Sequence, residues 1–238
     1  MNRERFRFFS SVYRESDLHI GVPHRDFRTE MERYSLQEQK RLYRLLYRYA
    51  DHHPLFLTSL EPVPFQHKDI LQPEISEMLH CGIRTGTGPM SSVAGMFAGA
   101  VAKHLLNEFD PAELVVENGG DLFIMNRSEL VTVIHAGKSP LSGKIGIILP
   151  GGTWGVCTSS GSHGHSFSRG KADAVTVVSG NTSMADAWAT ALGNRVKGHK
   201  DIEPVLDEVT GIPEILACVV VFGERMGIRG MFEVKLLS

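Results

Sequence analysis

The sequence predicts an α+β fold in which antiparallel sheets are covered by helices on one face. Three observations carry this expectation. Strand-like runs come in pairs, helical runs are grouped between them, and no Pro-, Gly- or Ser-rich linker is long enough to separate independent domains. Each half reads strand, strand, helices, strand, strand, with extra strands inserted at the middle, a pseudo-repeat of topology rather than of sequence. The expected organisation is one domain spanning 1–238, made of two fused subdomains near 1–127 and 128–238. The crevice between them is the natural ligand site.

The elements follow in order. RFRFFSSVYR (5–14) and DLHIGV (17–22) read as two short strands around a Glu15-Ser16-Asp17 turn. A long helical stretch from about Arg25 to Ala50 is rich in Glu, Gln, Arg, Leu and Tyr, with its arginines as a solvated face. LFLTSL (55–60) reads as a strand, and Pro62 and Pro64 punctuate the chain before a helical segment near 74–80. Two glycines and Pro89 then precede a small-residue helix over roughly 91–108, whose backbone must pack close to a neighbour. LVVENGGDLFIM (114–125) reads as two strands around a Gly-Gly turn, followed by the β-rich runs LVTVIHA, KIGIILP, WGVCTSS and AVTVVSG. A helix begins within GNTSMADAWATALGN (180–194), another lies near 201–210 before Gly211 and Pro213, and ILACVVVF and MFEVKLL close the chain as strands.

Composition narrows the function. With 238 residues the chain has enough length for a substantial core, and its net charge of −2 gives no basic field for nucleic acid. Cys81, Cys157 and Cys218 are odd in number, far apart and outside any C-x-x-C, which suits reduced thiols in a cytoplasm rather than structural zinc. The N-terminus mixes charges without an apolar core of a leader, and no segment reaches the ~18 apolar residues of a membrane span. A cytoplasmic protein without membrane or nucleic-acid partners is expected.

Four segments carry candidate chemistry. Asp186 and Thr190, four apart on a helix amid small residues, project from one face as a carboxylate and a hydroxyl. Ser183 and Asp186 also fit a capping box at that helix start. GTGPMSSVAG (86–95) sets a glycine-rich loop before a helix whose free N–H groups attract anions, although it is neither a Walker A nor a Rossmann fingerprint. Asn118-Gly119-Gly120-Asp121 joins two strands and adds a second carboxylate. The segment 157–173 is the densest polar stretch, offering a thiol, hydroxyls, His163, His165, Arg169 and Lys171; the two histidines make a poor metal pair alone, and Thr158, Ser159, Ser160 and Arg169 are donors suited to an anion or phosphate.

In this order along the chain the segments resemble the ApbE superfamily, the FAD:protein FMN transferases once linked to thiamine biosynthesis. The pieces are the Ala/Gly-rich helix, Asn118-Gly119-Gly120-Asp121, Thr158-Ser159-Ser160-Gly161, and Ala185-Asp186-Ala187-Trp188-Ala189-Thr190-Ala191. The likeness runs from about Gly86 to the C-terminus, and GPMSSVAG with GKADAV resembles an uncharacterised branch of that superfamily. It implies a tandem T-fold, two β2α2β2 units around a central cleft. It also implies a magnesium ion held by Asp186 and Thr190, with a backbone carbonyl near Ser92 or Ala94, beside the diphosphate of FAD or FMN. Two family features are missing: the Lys-Gly pair of the Ala/Gly helix and a His-Ile-x-Asp-Pro segment after Thr-Ser-Gly.

The leading expectation is therefore an ApbE-like protein that binds magnesium and a flavin or other phosphate-bearing ligand in a central cleft, with FMN or phosphoryl-group transfer to a protein substrate and with homo-oligomers allowed. A second reading is a non-catalytic or sulfur-handling accessory protein in anaerobic sulfide assimilation toward homocysteine, using Cys157. A third is a hydrolase pairing Cys157 with His163 or His165.

Overall fold

The structure is a computed structural model that describes residues 4–65, 71–161 and 170–237. Strands β1 (Phe6–Tyr13), β2 (Ser16–Pro23), β3 (Leu114–Asn118), β4 (Asp121–Asn126), β7 (Gly152–Ser159), β8 (Ala174–Ser179), β9 (Ala217–Phe222) and β10 (Arg225–Gly230) form one sheet in that order. Every pairing within it is antiparallel. The first four and last four strands each form a strand, strand, helices, strand, strand run, and the runs meet where β4 pairs with β7. The expected antiparallel α+β architecture is present.

The inserted strands do not extend this sheet. β5 (Leu130–Ile134) and β6 (Ile145–Leu149) pair with each other, and β11 (Val234–Leu236) joins β6 to make a second, three-stranded sheet. Alternation along the strands separates the two faces. Val116, Ile20, Val175, Val177 and Cys218 pack toward the helices, while Val115, Ile124, Val156, Ala174, Val178 and Val219 pack toward the small sheet. The result is a layer of helices, the large sheet, and the small sheet behind it.

The helical layer contains α1 (Glu30–His52), α2 (Leu55–Thr58), α3 (Pro73–Thr85), α4 (Val93–Phe109), α5 (Thr182–Gly193) and α6 (Ile202–Val209). Pro73 occupies the first turn of α3, and Gly86 ends it in the left-handed region. LFLTSL is helical rather than a strand over 55–58: Pro54 starts the turn, and only Phe56 is buried, so no alternating face exists for a sheet to use. The strand β10 carries Arg225, Gly227 and Arg229 and lies at the sheet edge, where solvation replaces the apolar pattern that marks interior strands.

Candidate functional site

The start of α5 is held by two close approaches. A Cβ on Gly95 of α4 would lie 2.5 Å from the Thr182 carbonyl oxygen, and one on Gly155 of β7 would lie 2.5 Å from the Thr182 Cα. Glycine at both positions lets the first turn of α5 wedge between α4 and the sheet. The cap of this helix is Asn181, extended at φ −131°, whose Oδ1 accepts the Met184 N–H at 2.8 Å. The capping box expected at Ser183 is absent, because Ser183 lies one residue inside the helix and is buried. Asp186 instead caps α4, accepting the Gly95 N–H at 2.9 Å. The anion expected at the glycine-rich loop is thus supplied by the protein itself.

Every residue of α5 is buried except Asp186 and Thr190. One turn apart, both open into a cavity of about 610 Å³ bounded by the start of α4, the turn Thr85–Gly88, the segment Leu57–Glu61, and Asn194, Arg195 and Lys197 beyond α5. A chain of hydroxyls runs along its wall. Thr85 Oγ1 donates to the Cys81 carbonyl at 2.8 Å, and links of 2.7 Å and 2.6 Å join it to Thr87 and Ser91. Since the first proton is committed to Cys81, Thr87 donates to Thr85 and Ser91 donates to Thr87, which leaves Ser91 presenting lone pairs.

A second carboxylate stands behind Asp186. Asp121 begins β4, is buried, and accepts the Thr158 N–H at 3.1 Å. Burial, with the nearby Glu117 carboxylate, pushes its pKa up to about 7, against the Thr158 N–H and the Cys157 thiol, which favour the charged form. Asp186 is also raised well above the ordinary carboxylate range, first by burial and then by Asp121, against the N–H groups of Gly95 and Ala94. Among the described residues neither carboxylate is ion-paired with a Lys or Arg. Burial and mutual repulsion favour a protonated acid of this pair, or a cation close enough to offset the second charge.

Cys157 lies between these acids. It is fully buried, its thiol donates to the Thr182 carbonyl at 3.3 Å, and burial together with Asp121 and Asp186 pushes its pKa far up. A nucleophilic or sulfur-carrying cysteine needs exposure and a stabilised thiolate, and Cys157 has neither. This counts against Cys157 as a sulfur carrier or a nucleophile, and the non-catalytic accessory reading does not depend on it. His163, His165 and Arg169, expected at the same site, lie outside the described residues.

The remaining candidates divide. Ala94 lines the cavity of Asp186 and Thr190, and its carbonyl accepts Asn118 Nδ2 at 3.2 Å. Ser92 is fully buried and its hydroxyl turns away to the Pro89 carbonyl at 2.9 Å. Gly119, Gly120, Thr158 and Ser160 line a different cavity on the opposite face of the large sheet. Ser159 packs against Gly193, and the Gly161 N–H is spent on the Ala172 carbonyl at 2.9 Å. Among the described residues no three His, Cys, Asp or Glu side chains form a metal-ligand cluster, so a cation here would rely on one carboxylate, a hydroxyl, carbonyl oxygen and water. The residues that sequence reasoning missed are Arg195 and Lys197, which carry no motif, and the hydroxyl chain, whose Thr87 and Ser91 belong to the GTGPMSSVAG segment but join Thr85 only through the fold. Among the described residues no helix is long and apolar enough to cross a membrane.

Comparison with known proteins agrees with this architecture. A UPF0280 protein of Methanothermobacter thermautotrophicus is 36% identical over 217 residues, covering 89% of this chain and 83% of its own. The ApbE protein of Thermotoga maritima superposes with a TM-score of 0.60 at 14% identity, over 94% of this chain and 97% of that one. The flavinyl transferase ApbE of Pseudomonas stutzeri gives 0.56 at 15% identity, over 94% and 93%. At such identities the solved structures establish the shared fold. The family described as AbpE bacteria matches residues 1–206, and the chain belongs to it.

Proposed function

We propose that the cavity of Asp186 and Thr190 holds a magnesium ion and, through it, a phosphate-bearing ligand, with FAD or FMN the first candidates. The observation that carries this reading is the exposure pattern of α5: in an otherwise buried helix, a carboxylate and a hydroxyl one turn apart are left open to a common cavity. The donor chemistry suits a hard cation, since Asp186 and Thr190 offer oxygen only, and a cation would relieve the repulsion between Asp186 and Asp121. Bound there, magnesium supplies charge neutralisation and polarisation of a phosphoanhydride.

The chain's own groups have separable parts. Asp186 is fixed by the Gly95 N–H. Asn118 ties the β3–β4 turn to the start of α4 through the Ala94 carbonyl. Ser91 presents lone pairs suited to metal-bound water. Arg195, which is ion-paired with Glu208, and Lys197 stand on the cavity wall, where a phosphate would compete with that carboxylate for the guanidinium. The description of the P. stutzeri protein as a flavinyl transferase supports flavin as the ligand.

Titration calorimetry with FAD, FMN and ATP, each with and without magnesium, tests the reading. Magnesium-dependent binding of at least one nucleotide is expected, lost in Asp186→Asn and weakened in Thr190→Val. Absence of binding by all three, or binding indifferent to both substitutions, overturns it.

A further inference from the structure

A second cavity, of about 580 Å³, lies on the far side of the large sheet, between it and the three-stranded sheet. Protein interiors rarely keep voids larger than a water molecule, and this volume falls within the ~300–1,000 Å³ range of small-molecule sites. Its body is apolar, lined by Phe6, Ile124, Val131 and Val133 among others. Its polar groups gather at the end where β3, β7 and β8 meet the Gly119-Gly120 turn. There Glu117 of β3, Thr158 of β7 and Thr176 of β8 face inward, while Thr132, His135 and Ser142 add polar groups from the side of the small sheet.

The polar end is built to accept hydrogen bonds. Thr176 is 1% exposed, and its hydroxyl meets that of Thr158 at 2.8 Å. One of the pair's two protons is used between them, so both oxygens retain lone pairs for a third partner while one O–H stays available to donate, and it is Glu117 that sets the preference for a donating head. Glu117 is half-buried, and among the described residues its carboxylate makes no hydrogen bond or ion pair, although a carboxylate leaving water ordinarily acquires a partner. Gly119 and Gly120, at φ +62° and +104°, have nothing within 4 Å of a would-be Cβ, so the turn leaves space beside this end.

We infer that this cavity binds a small apolar molecule bearing a hydrogen-bond-donating, cationic head, of the primary amine class. The apolar body lies between the two sheets, and the ammonium donates to Glu117 and to the Thr158–Thr176 pair. An anionic head is disfavoured by Glu117. The site is separate from the cation cavity. β7 divides them, with Cys157 facing the helices while Thr158, the next residue, faces this chamber.

The experiment compares octylamine with octanoate, equal in chain length and opposite in charge, by titration calorimetry on the full-length protein in EDTA. Octylamine is expected to bind at least about tenfold more tightly, the value of one charge-assisted hydrogen bond. Glu117→Gln should bring the two ligands within about threefold of each other. Val133→Trp, which fills the apolar body, should abolish binding of both, with circular dichroism and the melting temperature confirming that each variant is folded. Asp186→Asn should leave octylamine binding unchanged, so failure of the cation site and failure of this one are told apart. Equal binding of amine and carboxylate, or an amine affinity indifferent to both Glu117→Gln and Val133→Trp, overturns the inference.

Discussion

Asp186 of α5 accepts the Gly95 N–H of α4 at 2.9 Å, so the carboxylate of one helix caps the first turn of another. The contact depends on the absence of a side chain at Gly95, where a Cβ would stand 2.9 Å from the Asp186 Cβ and 2.5 Å from the Thr182 carbonyl oxygen. The Asp186 side chain is thereby oriented by a packing requirement at a helix 91 residues earlier in the sequence.

Gly95→Ala should cost about 1–3 kcal/mol, because neither contact atom belongs to a flexible side-chain end that can yield. Urea unfolding measures this directly. The same substitution should weaken magnesium-dependent ligand binding, since α4 and α5 must separate to accept the methyl group. A variant as stable as the parent would show that the helices slide apart at little cost.

The thiols should be inert in the folded state. Cys81, Cys157 and Cys218 are all buried, and each is raised, Cys81 and Cys218 to about 12 and Cys157 well above its ordinary value, chiefly by burial. Ellman's reagent should release no colour from native protein and three equivalents in denaturant. Rapid titration of a single native thiol would contradict the packing described around Cys157.

Glu113 holds the N-terminal edge of the fold. It receives a two-pronged contact from Arg5, one prong at 2.9 Å from Nε, and the Arg127 N–H at 2.7 Å. Glu113→Gln should cost roughly 1.5–3 kcal/mol at neutral pH, as charge-assisted hydrogen bonds become neutral ones. The Arg5 contact holds the Glu113 pKa below its ordinary value, so this contribution is present above the unfolded pKa and lost as pH falls. Denaturation at pH 7 and pH 3 should therefore show the deficit shrinking in acid.

The antiparallel α+β organisation is legible in the sequence because alternating apolar runs and helical runs are local signals. The strands flanking Gly119-Gly120 and the helix after Asn181 sit within a residue or two of where the pattern puts them. Tertiary facts are less legible. Gly95 and Gly155 look like ordinary small residues until Thr182 is brought between them. Ser183 fits a capping-box pattern in the sequence, yet it is Asn181 that has the extended backbone and turns its side chain back to the Met184 N–H. Asp186 and Thr190 stand out by spacing, but that they are the only open residues of α5 emerges from packing alone. Asp121 and Thr158 look like parts of one loop-built ligand surface, whereas alternation on β7 sends Thr158 to the far face and leaves Asp121 behind Asp186.

The acid pair predicts a pH dependence of the opposite sign to that of Glu113. Asp121 is raised to about 7 from an ordinary 3.8, so the folded state holds its proton where the unfolded chain has lost it. Stability from this group is complete below about pH 4 and declines as pH rises through about 7. The full span corresponds to on the order of 4 kcal/mol if the shift is realised entirely. Asp121→Asn keeps an oxygen for the Thr158 N–H and removes both its own titration and its upward push on Asp186, so the difference between the proteins reports the acid pair. In EDTA the stability advantage of Asp121→Asn over the parent should therefore grow between pH 5 and pH 8, as measured by urea unfolding at each pH. Carboxylates that are lowered, such as Glu113, act equally on both proteins and cancel in this difference. Adding magnesium at pH 8 should stabilise the parent if a cation takes the place of the missing proton, and a parent and variant with parallel pH profiles would show that Asp121 is ionised throughout.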